Sequence, residues 1–254
     1  MTFPPTISII GTGNVSEILG QRLFDEGFQI ASVVGRNKER ASELANKWSA
    51  RIENIEDISG EFVLVCLPDS ITKEVIEEID SHKIVAYTAG SLALEKILHP
   101  NCGVFYPLQT FSKSKKEKSL KFPILFESKT KEISDVLQKL GAKISERVEY
   151  CDTEKRKHIH LSAVFINNFS NHLIYLGQKL AQQKDIDPQL FAALIEETFA
   201  KLKDLPAKEA QTGPAVRNDL TTIKNHLEML DGDEKEIYKI LTNNLLKSFG
   251  HDQL

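Results

Sequence analysis

The chain is poor in the residues that tie a protein together covalently. Its 254 residues hold three cysteines, Cys66, Cys102 and Cys151, odd in number and far apart. No Cys-x-x-Cys pair and no metal-ligand spacing occurs, which argues against a disulfide scaffold and a structural zinc site. Cys66 stands inside an apolar run and reads as a small buried hydrophobe. Long hydrophobic runs are lacking too, so no segment reaches the length of a membrane span. The first residues, Met1-Thr2-Phe3-Pro4-Pro5, have neither the charged nor the apolar region of a signal peptide. The expectation is a reduced, cytoplasmic protein. An excess of one charge is also missing. There are 19 basic and 21 acidic side chains up to residue 151, and 13 and 15 beyond it. Neither part has the basic surplus that a nucleic-acid partner requires. The one basic cluster, Lys113 to Lys118, reads as a solvated loop, with a flap over an anionic cofactor as the second reading.

What is present is a regular alternation. Up to about residue 150, short apolar runs alternate with amphipathic ones. The strand candidates are Thr6–Ile10, Ile30–Val34, Phe62–Leu67, Ile84–Thr88, Val104–Tyr106, Ile124–Phe126 and Lys143–Ile144, with a short one near Arg51. Between them the helix candidates are Val15–Glu26, Glu39–Ser49, Ile71–Ile79 and Lys131–Leu140, the last ended by Gly141. Continuous apolar strands between such helices predict a mostly parallel sheet covered on both faces. After Tyr150 no strand pattern remains. Helices are predicted over about Thr153–Gln183, Pro188–Asp204, Asn218–Leu230 and Asp233–Phe249. The expected division is therefore 1–151 and 152–254.

The most informative segment is Ile7-Ser8-Ile9-Ile10-Gly11-Thr12-Gly13-Asn14-Val15-Ser16. An apolar strand runs into a glycine-punctuated turn and then a helix. Gly11 permits the sharp bend, and Gly13 lets the backbone approach a pyrophosphate held at the helix N-terminus. Ser16 replaces the third glycine of the pattern. At the tip of the second strand, units that bind NAD place an Asp or Glu for the ribose 2′-hydroxyl. Here the tip reads Gly35-Arg36-Asn37-Lys38-Glu39-Arg40. The guanidinium of Arg36, with Asn37 and Arg40, suits a 2′-phosphate, so NADP is the expected cofactor.

Two further strand ends share that sheet edge: Leu67-Pro68-Asp69 and Thr88-Ala89-Gly90-Ser91. They are expected to line the nicotinamide end of the cofactor, with Asp69 equally suited to capping the next helix. Tyr106 and Gln109 follow a later strand and either bond a substrate or belong to an ordered loop. On the first long helix, His160, Asn167, Asn171 and Tyr175 fall in a stripe about 80° wide at about 100° per residue, with Asn168 beside it. His160 reads as a proton donor or substrate anchor, and Asn167 or Asn168 as an orienting amide. A satisfied structural histidine is the other reading. His158 and His160 are two residues apart and diverge on a helix, so they do not chelate a metal together. Arg217, after the Gly213-Pro214 turn, either binds an anionic substrate group, pairs with Asp219 or bridges a dimer contact.

Several of these residues carry a resemblance. Gly11-Thr12-Gly13-Asn14-Val15, Tyr106-Pro107-Leu108-Gln109-Thr110-Phe111, His160 to Phe169, and Thr212-Gly213-Pro214-Ala215-Val216-Arg217-Asn218-Asp219 with His226-Leu227 resemble a bacterial family. Its members are Rossmann-like NADP oxidoreductases with a helical C-terminal domain of unknown function, and the likeness covers essentially the whole chain. The family pattern has His where this chain has Tyr106, and Gly where it has Asn218. More distantly, the layout is similar to pyrroline-carboxylate reductases, deazaflavin-dependent NADP reductases and hydroxyacid dehydrogenases. The last group uses a Lys with an Asn four residues on. Lys155 and Lys157 lack that partner here.

The resemblance implies an α/β fold. An N-terminal Rossmann-type NADP domain would have helices on both faces of a mostly parallel sheet, and an all-α C-terminal domain would bind substrate and build a homodimer. The activity expected is hydride transfer to or from a small carbonyl, imine or hydroxy compound bound between the domains, without nucleic-acid or membrane partners. A non-catalytic NADP(H) sensor is the alternative expectation.

Overall fold

The computed structural model describes residues 3–112 and 121–254, so the Lys113–Lys118 cluster lies outside the described residues. The chain forms two compact units, 1–167 and 168–254.

The first unit is built on one sheet. Its strands are β1 (Ile7–Ile10), β2 (Ile30–Val34), β3 (Arg51–Ile52), β4 (Phe62–Val65), β5 (Ile84–Tyr87), β6 (Cys102–Pro107), β7 (Ile124–Ser128) and β8 (Val148–Tyr150). They lie in the order β3-β2-β1-β4-β5-β6-β7-β8. β1 to β6 are parallel. β7 runs antiparallel to β6, and β8 is parallel to β7. From β1 the chain winds out to β2 and β3, then returns to pair β4 on the other side of β1. The loops after β1 and β4 therefore diverge and leave a crevice at the carboxyl ends of the strands.

Helices α1 (Asn14–Asp25), α2 (Lys38–Trp48), α3 (Asp69–Glu77) and α4 (Lys131–Ile144) cover this sheet. Strand side chains alternate between two cores. Phe62 and Leu64 join Leu19, Leu23, Leu44, Trp48, Leu137 and Leu140 from α1, α2 and α4. Val63 and Val65 join Ile76 from α3 on the other. Close packing decides one small residue: a Cβ on Gly20 of α1 would lie 2.5 Å from the Trp48 ring.

Two predictions near the end of this unit are corrected. Lys143–Ile144 is not a strand, because α4 continues through Gly141 to Ile144. Gly141 is a helix-interior residue whose missing Cβ makes room for Val148 of β8, 2.9 Å from where that atom would stand. It serves packing rather than helix termination.

The predicted helix Thr153–Gln183 is also not uniform. α5 (Thr153–Ala163) passes into a π-helical stretch, Val164–Phe169, and then α6 (Ser170–Gln182). Next come a 3-10 turn at Pro188–Phe191, α7 (Ala192–Ala200), α8 (Leu220–Glu228) and α9 (Gly232–Ser248). Asp187 caps the 3-10 turn by accepting the Gln189 N–H at 2.9 Å. Ala215, Ile223 and Leu246 form a small core in the second unit.

The strands stop where the expected boundary at 151/152 falls, but the compact units divide between Asn167 and Asn168. α5 belongs to the sheet unit because Thr153 and Arg156 bond groups on β7 and on the loop after β5.

Candidate functional site

The turn after β1 needs glycine for two reasons. Gly11 has φ of 115°, and a Cβ there would stand 2.3 Å from the carbonyl oxygen of Cys66. Its N–H donates to Val34 at 2.8 Å, which fixes the turn against β2. Gly13 is different. It is the N-cap of α1, and a Cβ on it would meet no atom within 4 Å. α1 begins without a side-chain cap, as α3 and α9 do, whereas α2, α4, α5 and α8 are capped. The first-turn N–H groups of α1 thus keep their donors and their positive dipole end for an anion. Ser16, fully buried, sits beside the Cys66 thiol, which burial pushes up to about 12 and so keeps unreactive. Asn14 donates to the Phe111 carbonyl at 2.9 Å and ties this turn to the segment after β6. Val15 packs on the first core.

The tip of β2 lies against the same turn. A Cβ on Gly35 would be 2.4 Å from the Thr12 methyl, so glycine lets the two loops touch. Arg36 follows, exposed and without an ion pair among the described residues. Asn37 caps α2, accepting the Arg40 N–H at 2.9 Å and keeping its amide N–H groups. The expectation for Arg40 is revised. Its guanidinium is held by Glu17 of α1 and Glu43 of α2, and Lys47 also reaches Glu17, at 3.3 Å. Burial pushes the Glu17 carboxyl up, but Lys47 and Arg40 together hold it below the usual range. The charge of Arg40 is already met.

The ends of β4 and β5 are joined. Pro68 stands at the N-cap of α3, and Asp69 accepts the Ser91 N–H at 3.2 Å and the Ser91 hydroxyl. Leu67 and Ala89 pack on the second core. Gly90 permits a close approach, but by the protein's own groups. A Cβ there would lie 2.8 Å from Nδ1 of His160 and 2.9 Å from the Tyr106 ring. The Tyr106 hydroxyl is 3.1 Å from that same Nδ1, with the rings inclined at 64°. Burial, reinforced by Asp69, pushes the phenol up.

Behind this pair stands a group that sequence reasoning missed. Arg156 is completely buried. It donates from Nε to Gly90 O at 3.3 Å and from Nη2 to Leu92 O at 2.8 Å, and it pairs with Glu127 of β7. Glu127 also accepts the Thr153 hydroxyl at 2.8 Å, and the Tyr87 hydroxyl bonds Leu92 O at 3.0 Å. The available signal was Glu127 itself, a carboxylate inside an apolar strand that needs a buried partner.

Other expected residues lie elsewhere. Gln109 is exposed, and its Oε1 accepts the Thr110 N–H at 2.8 Å. Asn167 and Asn168 are exposed within the π-helical stretch. That stretch breaks the 3.6-residue period, so the predicted stripe of His160, Asn167, Asn171 and Tyr175 has no common angular basis. Arg217 is exposed in the second unit. Asp219 caps α8, accepting the Thr222 N–H at 3.0 Å and its hydroxyl at 2.7 Å; these bonds, then Arg217 and His226, hold its carboxyl low. Asn218 has φ of 55°, a conformation easy for glycine and open to Asn. The second unit also has an apolar cavity of about 330 Å³ lined by Ile174, Phe191, Leu194 and Ile195. Among the described residues no three His, Cys, Asp or Glu side chains gather to hold a metal ion. No described helix is long and apolar enough to cross a membrane.

Comparison with known proteins sets these features in a family. A profile described as NADP oxidoreductase, coenzyme F420-dependent, matches residues 6–89. One described as a domain of unknown function, DUF2520, matches residues 122–245. A solved structure named "putative NADP oxidoreductase BF3122", from Bacteroides fragilis, is 33% identical. The match covers 96% of this chain and 98% of that one, with a TM-score of 0.87. The chain belongs to this NADP oxidoreductase family. Its DUF2520 half holds the π-helical stretch, Arg217 and Asp219. Two more distant structures show the fold alone. Protein TM1727 from Thermotoga maritima is 22% identical over 96% of this chain and 98% of its own, with a TM-score of 0.74. An imine reductase variant from Myxococcus stipitatus, solved with NAD+, is 11% identical over 98% and 94%, with a TM-score of 0.60. The curated proteins give no match. As a member of the NADP oxidoreductase family, the protein is an oxidoreductase with a Rossmann-type, nucleotide-binding domain.

Proposed function

We propose that the protein is an NADP(H)-dependent oxidoreductase that reduces, or forms, a small carbonyl, imine or hydroxy compound. The observation that carries this reading is Arg36, an exposed guanidinium without an ion pair among the described residues. It stands where NAD-binding units carry a carboxylate, next to a glycine turn whose helix start has no side-chain cap. The residues present fit a phosphorylated dinucleotide. Gly13 leaves space for a pyrophosphate over the α1 donors. Arg36 and the amide of Asn37 offer donors to a 2′-phosphate. The nicotinamide, when bound, supplies or accepts the hydride. The protein's part is to orient it, with the backbone at Leu67, Pro68, Ala89 and Gly90 on the same sheet edge. His160 or a bound water provides the proton, and Arg217 is the candidate anchor for an anionic substrate group.

The test is a screen of small aldehydes, ketones and imines, with NADPH absorbance as readout. Turnover above background with at least one class is expected. Its absence for all classes, with NADPH still bound, contradicts an enzymatic role.

A further inference from the structure

We propose that Tyr106 is a positioning residue that fixes the tautomer of His160, so that Nε2–H faces outward as a hydrogen-bond donor to a carbonyl or imine acceptor. This rests on the reading of His160 as a substrate-facing group. Nδ1 of His160 lies 3.1 Å from the Tyr106 hydroxyl, so that nitrogen is committed. Nε2 makes no hydrogen bond among the described residues, and the ring is only half-buried. Either the phenol donates to Nδ1 or Nδ1–H donates to the phenol oxygen. The groups facing the pair are Asp69 at the start of α3 and Arg156 of α5. Burial and Asp69 favour the protonated phenol, and the opposing pull of Arg156 does not outweigh them. A neutral phenol is a strong donor and a weak acceptor, whereas the imidazole lone pair is a strong acceptor, so at 3.1 Å the hydroxyl donates to Nδ1 and the imidazole carries its proton on Nε2.

The surrounding backbone holds this arrangement. Gly90 leaves no room for a side chain between its Cα and the two rings. Arg156 fixes the carbonyls of Gly90 and Leu92 from behind. His160 then acts by polarising an acceptor atom, and the proton comes from bound water. The substrate class narrows to compounds that present a lone pair at the reacting centre.

The experiment is a long-range proton–nitrogen correlation on 15N-labelled full-length protein at about pH 8.5, roughly two units above the ordinary imidazole value. His160→Gln assigns the signal. The native protein should show the Nε2–H pattern. In Tyr106→Phe the Nδ1 resonance should move to the position of a ring nitrogen without a donor. An Nδ1–H pattern in the native protein overturns the proposal, as does an Nδ1 resonance unchanged by Tyr106→Phe. The native spectrum decides by itself if the variant does not fold. NADPH binding by calorimetry is measured in parallel. Loss of that binding sinks the cofactor reading and leaves the tautomer result standing, whereas the wrong tautomer does the reverse.

Discussion

Arg156 shows how one residue orders a site from behind. Its side chain is 1% exposed and its carboxylate partner Glu127 is 13% exposed. Breaking such a pair leaves a charge without compensation, which costs about 3 kcal/mol or more. Arg156→Ala is therefore expected to lower the unfolding free energy by about 3 kcal/mol in urea titration. The double variant Arg156→Met, Glu127→Leu should recover much of that loss, since apolar residues of similar volume often replace a buried pair well. A single-variant cost below about 1 kcal/mol would mean that the pair is not holding the loop after β5. Neither partner announced its role fully. Arg156 sits in Lys155-Arg156-Lys157, which looks like a solvated basic stretch, and only the fold brings it to β7. Tyr106 and His160 are 54 positions apart, so their contact was equally hidden. Gly11 was legible, because a strand meeting a tight turn left few other uses for it.

At the scale of elements, the start of α1 separates binding from folding. Gly13 has an extended backbone, φ −82° and ψ −177°, that any residue adopts, and open space around it. Gly13→Ala should change stability by less than about 1 kcal/mol, the scale of an N-cap exchange. It should weaken NADPH binding by about tenfold or more, because a methyl intrudes on the approach of the phosphates. Equal losses in both measurements would place Gly13 in the fold rather than the site. Asn37→Ala removes a real cap from α2 and should cost about 1 kcal/mol in thermal or chemical unfolding. The order of strands and helices up to β7 followed from apolar periodicity. The π-helical stretch did not, because Val164-Phe165-Ile166-Asn167-Asn168-Phe169 carries no local mark that distinguishes five-residue from four-residue bonding. Gly141 misled for a related reason. Glycine ends helices and also admits close neighbours, and the choice was made by Val148.

At the scale of the whole molecule, the second unit exposes large apolar side chains that its own small core does not cover. Leu190, Leu194, Met229 and Ile240 are 63–80% exposed. Single exposed apolar side chains are ordinary on a protein surface, whereas a contiguous patch of them marks an association site. We expect sedimentation equilibrium to give twice the chain mass. A monomer at micromolar concentration would contradict the homodimer expectation. Isothermal calorimetry with NADPH and NADH probes the proposed cofactor site of the first unit. The native protein should bind NADPH about tenfold or more tightly over NADH, a difference of about 1.4 kcal/mol, and Arg36→Ala should bind the two alike. Equal affinity of the native protein for both, or no heat with either, would rule out an NADP(H) site at the Gly11–Gly13 turn and Arg36.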